Sequence, residues 1–145
     1  MTGRGNLSLK EQGDTMQVAQ SKNNGEKKTV LFVDDQQIVL DVGSLMLQKL
    51  GYNVLAVSNG KRAIDILRKN KIAFVLLDML MPGMNGFQIY HRLKKIQPNV
   101  KIILTSGHAV CQSEGLSKSI GFDGFIQKPF NLKQLSGKIK NIRAN

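Results

Sequence analysis

"FVLLDMLMPGMNGF", residues Phe74 to Phe87, carries the reading of the fold. Four apolar residues, Phe74 to Leu77, with Ala73 before them, run straight into Asp78, and Met81-Pro82-Gly83 follows. An apolar run of this length beside turn chemistry reads as a buried strand. Its terminal carboxylate sits where burial stops and a loop begins. Asp78 is therefore either a turn or helix cap, or a reactive group presented at the rim of a sheet.

Working outward, the same unit of strand then helix recurs in type, though not as a sequence repeat. "TVLFV" (Thr29 to Val33) reads as a buried strand. In the following "QQIVLDVGSLMLQKLG", Ile38, Val39, Val42, Leu45, Met46 and Leu50 recur at helical spacing, and Gly51 supplies a stop. "NVLAVS" is a strand, Ser58-Asn59-Gly60 an N-cap, and Ala63, Ile64 and Leu67 one apolar stripe. After the Pro/Gly loop, "GFQIYHRLKKI" is a helix with Phe87, Tyr90, Leu93 and Lys94 spaced along it. "VKIILT" is a fourth strand and "GFI" a short fifth. Between them a helix is expected at roughly Val110 to Ile120, where Gly115 and three serines lower the propensity. Leu132, Leu135, Ile139 and Ile142 mark a last helix. Five strands alternating with five helices imply one α/β domain: a doubly wound parallel sheet with helices on both faces, residues 29–145. Residues 1–28, rich in Gly, Asn, Gln, Ser and Lys without a sustained apolar period, read as a disordered tail or linker.

The bulk numbers narrow the function classes. At 145 residues and 41% apolar content the chain suits one globular domain. The lone Cys111 excludes an internal disulfide framework and reads as a small helix residue. No run reaches the roughly 18 to 20 apolar residues that span a bilayer, and the N-terminus lacks a signal-type apolar region, so a soluble cytoplasmic protein without membrane contact is expected. The net charge is +11. In residues 1–28 five basic residues face three acids, so most of the excess belongs to the folded part, whose acids are Asp34, Asp35, Asp41, Asp65, Asp78, Glu114 and Asp123. Aromatics are few and no recognition motif accompanies the charge. It reads as a solvated basic face; nucleic acid is not the expected partner.

Right-handed crossovers bring all strand C-terminal ends to one edge, where ligand chemistry gathers in such sheets. Asp34 and Asp35 end the first strand, Asp78 the third, Thr105 and Ser106 the fourth, and Lys128 follows the fifth. Crowded carboxylates repel and need a cation, and an all-oxygen site suits magnesium. Lys128 adds a point charge able to hold a phosphoryl oxygen, and a hydroxyl adds a donor. A carboxylate nucleophile, a divalent ion, a lysine and a hydroxyl form a site that accepts a phosphoryl group, with Asp78 as acceptor. Taken singly, Asp34 or Asp35 is as readily a helix N-cap and Phe125 as readily plain core, and Thr105 competes with Ser106 for the hydroxyl role, where the spacing to Lys128 and the following Gly107 favour Ser106.

These residues resemble the receiver domain of the two-component response-regulator family. The resemblance rests on "VLFVDD" (Val30 to Asp35), "LLDMLMPGMNG" (Leu76 to Gly86), "LTSG" (Leu104 to Gly107) and "KPF" (Lys128 to Phe130), and spans residues 29 to 143. It implies a flavodoxin-like receiver fold of strand order 2-1-3-4-5. Asp78 is implied as phosphoacceptor for a sensor histidine kinase or histidine phosphotransfer protein, with Mg2+ as cofactor. Asp35 is implied as a direct metal ligand, Asp34 as one partly through water, and Leu80 as a backbone-carbonyl ligand. Ser106 is implied as switch hydroxyl, Lys128 as phosphate-binding lysine and Phe125 as switch aromatic. The face of the fourth helix, fifth strand and fifth helix would then carry the output, since nothing follows the last helix, and a homodimer through that face is one expectation. The resemblance also implies a domain that is not an enzyme acting on a separate substrate but one that promotes its own phosphorylation and dephosphorylation. Leu80 and His108 fall where the family flanks the hydrolytic water, and an apolar Leu80 implies slow self-dephosphorylation. The competing classes are a basic adaptor for nucleic acid or an acidic partner, and a haloacid-dehalogenase-like phosphatase. The latter expects an acid two residues past its nucleophile, where this chain has Leu80. A stand-alone receiver and a receiver cut from a hybrid kinase are equally consistent with the sequence.

Overall fold

A computed structural model of the chain describes residues 26–83, 85–107 and 122–144. The strands are β1 (Thr29–Val33), β2 (Asn53–Val57), β3 (Phe74–Asp78), β4 (Lys101–Ser106) and β5 (Gly124–Gln127), and the helices α1 (Gln37–Lys49), α2 (Gly60–Lys69), α3 (Gly86–Ile96) and α4 (Leu132–Ala144). The expected helix at Val110 to Ile120, with His108 and Cys111, lies outside the described residues, as does the expected tail up to residue 25. Every strand pair is parallel and the order is β2-β1-β3-β4-β5, as the alternating pattern requires.

β3 is central and buried along its whole length, which explains its unbroken apolar run. Alternate residues feed two cores. Leu31, Val33, Val75 and Leu77 pack with Ala63, Ile64, Leu67, Ile89 and Leu93 of α2 and α3. Val30, Phe32, Phe74 and Leu76 pack with Leu40 and Leu47 of α1 and Leu135 and Ile139 of α4. Each fully buried aliphatic side chain contributes roughly 1.5 to 3 kcal/mol, so these layers fix the sheet and the positions of its ends.

Helix α1 departs from its expected stripe. The residues that reveal the helix are not the ones it buries: Leu40, Gly43 and Leu47 face the sheet, whereas Ile38 is 70% and Leu45 64% exposed, with Val42 also on the outside. The cause is a close approach. The Phe32 ring occupies the space a Cβ at Gly43 would need, so this glycine is turned inward despite its poor helix propensity. Helix α2 follows its stripe, and its Asn59 cap accepts from the Arg62 amide at 2.8 Å. Helix α3 begins with a reciprocal capping box between Asn85 and Gln88 that the sequence reading passed over. It also buries Ile89 in place of part of the expected stripe. Leu132, at the start of α4, is exposed, while Leu135, Ile139 and Ile142 are buried.

Candidate functional site

The strand ends deliver their side chains to one place. Asp34 leaves β1 with its amide donating to the Val57 carbonyl at 3.2 Å and its side chain fully buried. One carboxylate oxygen accepts from the Gln36 amide at 2.9 Å, and the other from Lys128 Nζ at 3.0 Å. Asp78, 3% exposed, closes β3; its Oδ1 lies 3.4 Å from both the Leu80 amide and Lys128 Nζ. Asp35 is exposed beside them, and carboxylate oxygens of Asp34, Asp35 and Asp78 lie within 4.8 Å of one another. Lys128 is aimed by its own backbone, whose amide donates to the Ser106 carbonyl at 2.8 Å, and it precedes Pro129 through a cis peptide bond.

The electrostatics follow from this crowding. Burial, and then the neighbouring Asp34 charge, raise the Asp78 pKa from 3.8 to about 6, while Lys128 and the Leu80 amide pull it down. A second cation would relieve the same repulsion. The three carboxylates therefore suit a hard divalent ion by number, spacing and chemistry.

Thr105 and Ser106, the hydroxyl that spacing favours, sit differently in the structure. Thr105 stands in register with Asp78, but it is fully buried, and its hydroxyl has no hydrogen-bond partner among the described residues. Ser106 lines an open cavity of about 640 Å³ together with Asp35, Asp78 and Lys128. Leu80, 51% exposed, belongs to the same wall. Phe125 is not at the acidic cluster; it is buried in the core shared by Leu104 and Phe122. The loop after Asp78 is held by a close approach: the Gly86 amide donates to the Met79 carbonyl at 2.9 Å, and a Cβ at Gly86 would come within 2.8 Å of the Met79 Cα. Only glycine lets α3 begin so near Asp78.

One wall of the cavity was not anticipated. Ile38, Val39, Val42 and Met46 of α1 line it together with Pro129 and Phe130. The excess of apolar residues in α1, more than one buried face can use, was the available signal.

The sequence matches the family described as "Response regulator receiver domain" over residues 30–140. Sporulation initiation phosphotransferase F of Bacillus subtilis is 32% identical over 111 residues, covering 77% of this chain and 90% of that protein. The autoinducer 1 sensor kinase/phosphatase LuxN of Vibrio harveyi is 31% identical over 118 residues, 81% of this chain but 14% of that protein's length. The crystal structure of response regulator protein TrrA from Thermotoga maritima, in complex with Mg(2+)-BeF, has a TM-score of 0.70 and 29% identity, covering 79% of this chain and 98% of that one. The five-stranded sheet, the acidic strand-end cluster and this match agree: the chain belongs to the receiver-domain family of two-component response regulators, whose general function is to accept a phosphoryl group on an aspartate.

Proposed function

We propose that Asp78 is the phosphoacceptor, that Asp34, Asp35, Asp78 and the Leu80 carbonyl hold Mg2+, and that the donor is a phosphohistidine on a sensor histidine kinase or a histidine phosphotransfer protein. An Asp78 oxygen forms the new bond to phosphorus as the phosphorus–nitrogen bond breaks and its electron pair returns to the imidazole. The metal, when bound, supplies positive charge to the transferring oxygens. Lys128 holds one phosphoryl oxygen, and Ser106 donates to another. Closure of Ser106 on the new group lets Phe125 reorient and alters the face of β5 and α4, where a downstream partner or a second copy docks.

The observation that carries this reading is Lys128 Nζ at 3.0 and 3.4 Å from two carboxylates delivered by separate strands. The donor class draws support from the exposed apolar side of α1, which adjoins the cavity and suits a packed helix carrying the phosphohistidine. Among the described residues no helix is long and apolar enough to cross a membrane.

Incubation with acetyl phosphate and magnesium, followed by intact-mass measurement, tests the assignment. One phosphoryl group is expected on the wild type and none on Asp78→Asn. Equal labelling of the two removes Asp78 from the role.

Lifetime is a separate outcome. Exposed, apolar Leu80 stands beside the acceptor without a group to orient water. The phosphorylated form is therefore expected to hydrolyse slowly, and Leu80→Asn to shorten its half-life by on the order of tenfold, less than a full general base supplies. Decay of the phosphorylated mass after removal of donor is the measurement. A half-life unchanged or lengthened counts against the water-positioning argument.

A further inference from the structure

Helix α1 buries Leu40, Gly43 and Leu47 against the sheet and turns a second stripe outward. Ile38, Val42, Leu45 and Lys49 follow one another at alternating steps of four and three residues, the spacing with which one helix offers a seam to another. All four are exposed. Of the large apolar side chains exposed among the described residues, only Leu80 and Leu132 lie elsewhere, so Ile38, Val42 and Leu45 form a face rather than a scatter.

The charge of the chain decides what can lie against that face. At a net charge of +11, two copies repel one another over most of their surface. Helix α2 carries Lys61, Arg62, Arg68 and Lys69 against Asp65, and α3 and α4 carry basic residues with no acid at all. Helix α1 carries one acid, Asp41, and one base, Lys49, and so has no net charge. The hollow beside β5 is lined by Lys133 and Lys138, and a twofold pairing of resting copies there would set like charges together. Asp41 is already engaged by Gln37 Nε2 at 2.8 Å. The side chains of Lys49 and of exposed Asp35, just before the helix, have no hydrogen bond or ion pair among the described residues. They stand equally far in sequence from Val42, one on either side.

We propose that two copies of the resting chain pair through α1, antiparallel, about a twofold axis close to Val42. A twofold axis lays the same patch on itself, so the patch must complement its own reverse. This one does: the aliphatic stripes interleave, and the unengaged Lys49 end of each helix, about 20 Å long, meets the unengaged Asp35 end of the other. A lipid surface calls for several cations flanking the apolar face, and α1 supplies Lys49 alone. The seam is one helix wide, so the interface is small, below about 1,200 Å² in total, and dissociation at roughly 10 to 100 μM is expected. Leu80, Pro129 and Phe130 join α1 in the wall of the cavity that reaches Asp78, so the second copy covers the approach of a helix-borne phosphodonor. That consequence rests on the phosphoacceptor reading, whereas the pairing itself does not.

Sedimentation velocity of the full chain from about 5 to 500 μM tests the pairing. The mass is expected to rise from 16.1 kDa towards twice that value across this range. Leu45→Glu, a change at an exposed position that leaves the core intact, should weaken the dimer about tenfold or more, while Lys133→Glu on α4 should stay within about threefold. In a Cys111→Ser background, Val42→Cys lies beside the axis and should cross-link to its own copy under mild oxidation, whereas Lys133→Cys should not. Asp78→Asn should dimerise within about threefold of the wild type although it takes up no phosphoryl group, so this inference and the phosphoacceptor assignment fail separately. A chain that stays monomeric to about 500 μM overturns the proposal and leaves the face to a donor helix. So does a dimer that Leu45→Glu does not weaken, or cross-linking through Lys133→Cys in place of Val42→Cys.

Discussion

Replacing Lys128 by alanine is expected to slow phosphoryl transfer from acetyl phosphate to Asp78 by about 10²- to 10³-fold, the usual cost of removing one preorganised charge from a transition state. The ammonium group acts twice. Before reaction it sits 3.4 Å from Asp78 and opposes the burial and the Asp34 charge that raise the Asp78 pKa to about 6. Without it the pKa moves higher still, and less of Asp78 is ionised at neutral pH. During reaction it would meet the charge gathering on the phosphoryl oxygens. The rate–pH profile of Lys128→Ala should therefore be displaced to higher pH as well as lowered. Lys128→Arg keeps the charge but spreads it over a planar fork, so it should recover only part of the rate. A rate within about threefold of wild type for the alanine variant, in a protein whose circular dichroism shows it folded, removes Lys128 from the site chemistry.

How much of this was legible beforehand differs from residue to residue. The β3 run, the strand-end acids and the lysine after β5 were readable because a parallel sheet forces strand C-terminal ends to one edge whatever the side chains between them do. Helix α3 was readable to its limits, Gly86 and Ile96, because a loop with Pro and Gly precedes it and its apolar spacing is clean. Helix α1 was legible in extent but not in orientation, because it carries apolar residues on two faces and periodicity reports spacing without orientation. The choice between faces depends on the Phe32 ring meeting Gly43, a contact between two elements that no local pattern encodes. The tie from Gln97 to the end of α2 is of the same kind. Ser106 was favoured over Thr105 in sequence by its spacing to Lys128 and by the Gly107 that follows it, though the strand pattern alone does not show which of the two reaches the cavity. Adjacent strand residues point to opposite faces, but which of them reaches the cavity depends on how β4 sits beside β3 and on the loop that follows.

Stability offers a second, independent view of Asp78, because the burial and crowding that raise its pKa also cost the resting protein stability. Its ordinary pKa of 3.8 describes the unfolded chain, and about 6 the folded one. Between those values the native state retains a proton that the unfolded state has released, so native stability falls as pH rises through this window. Below about pH 3.8 the group contributes nothing; above about 6 its ionised form costs the fold up to about 3 kcal/mol, at about 1.4 kcal/mol per pKa unit. The amide of an Asp78→Asn variant never carries that charge. In the absence of divalent cation, this variant should be more stable than wild type by about 2 to 3 kcal/mol at pH 7.5, by less at pH 5, and by little near pH 4. Urea denaturation at the three pH values reads the difference directly. Magnesium should narrow the gap at pH 7.5, because a cation that binds the native carboxylates stabilises the wild type in proportion to its occupancy while the amide offers it a poorer site. A stability difference that stays constant from pH 4 to pH 7.5 would mean that the substitution acts through packing, and that the acidic cluster does not set the charge state of Asp78.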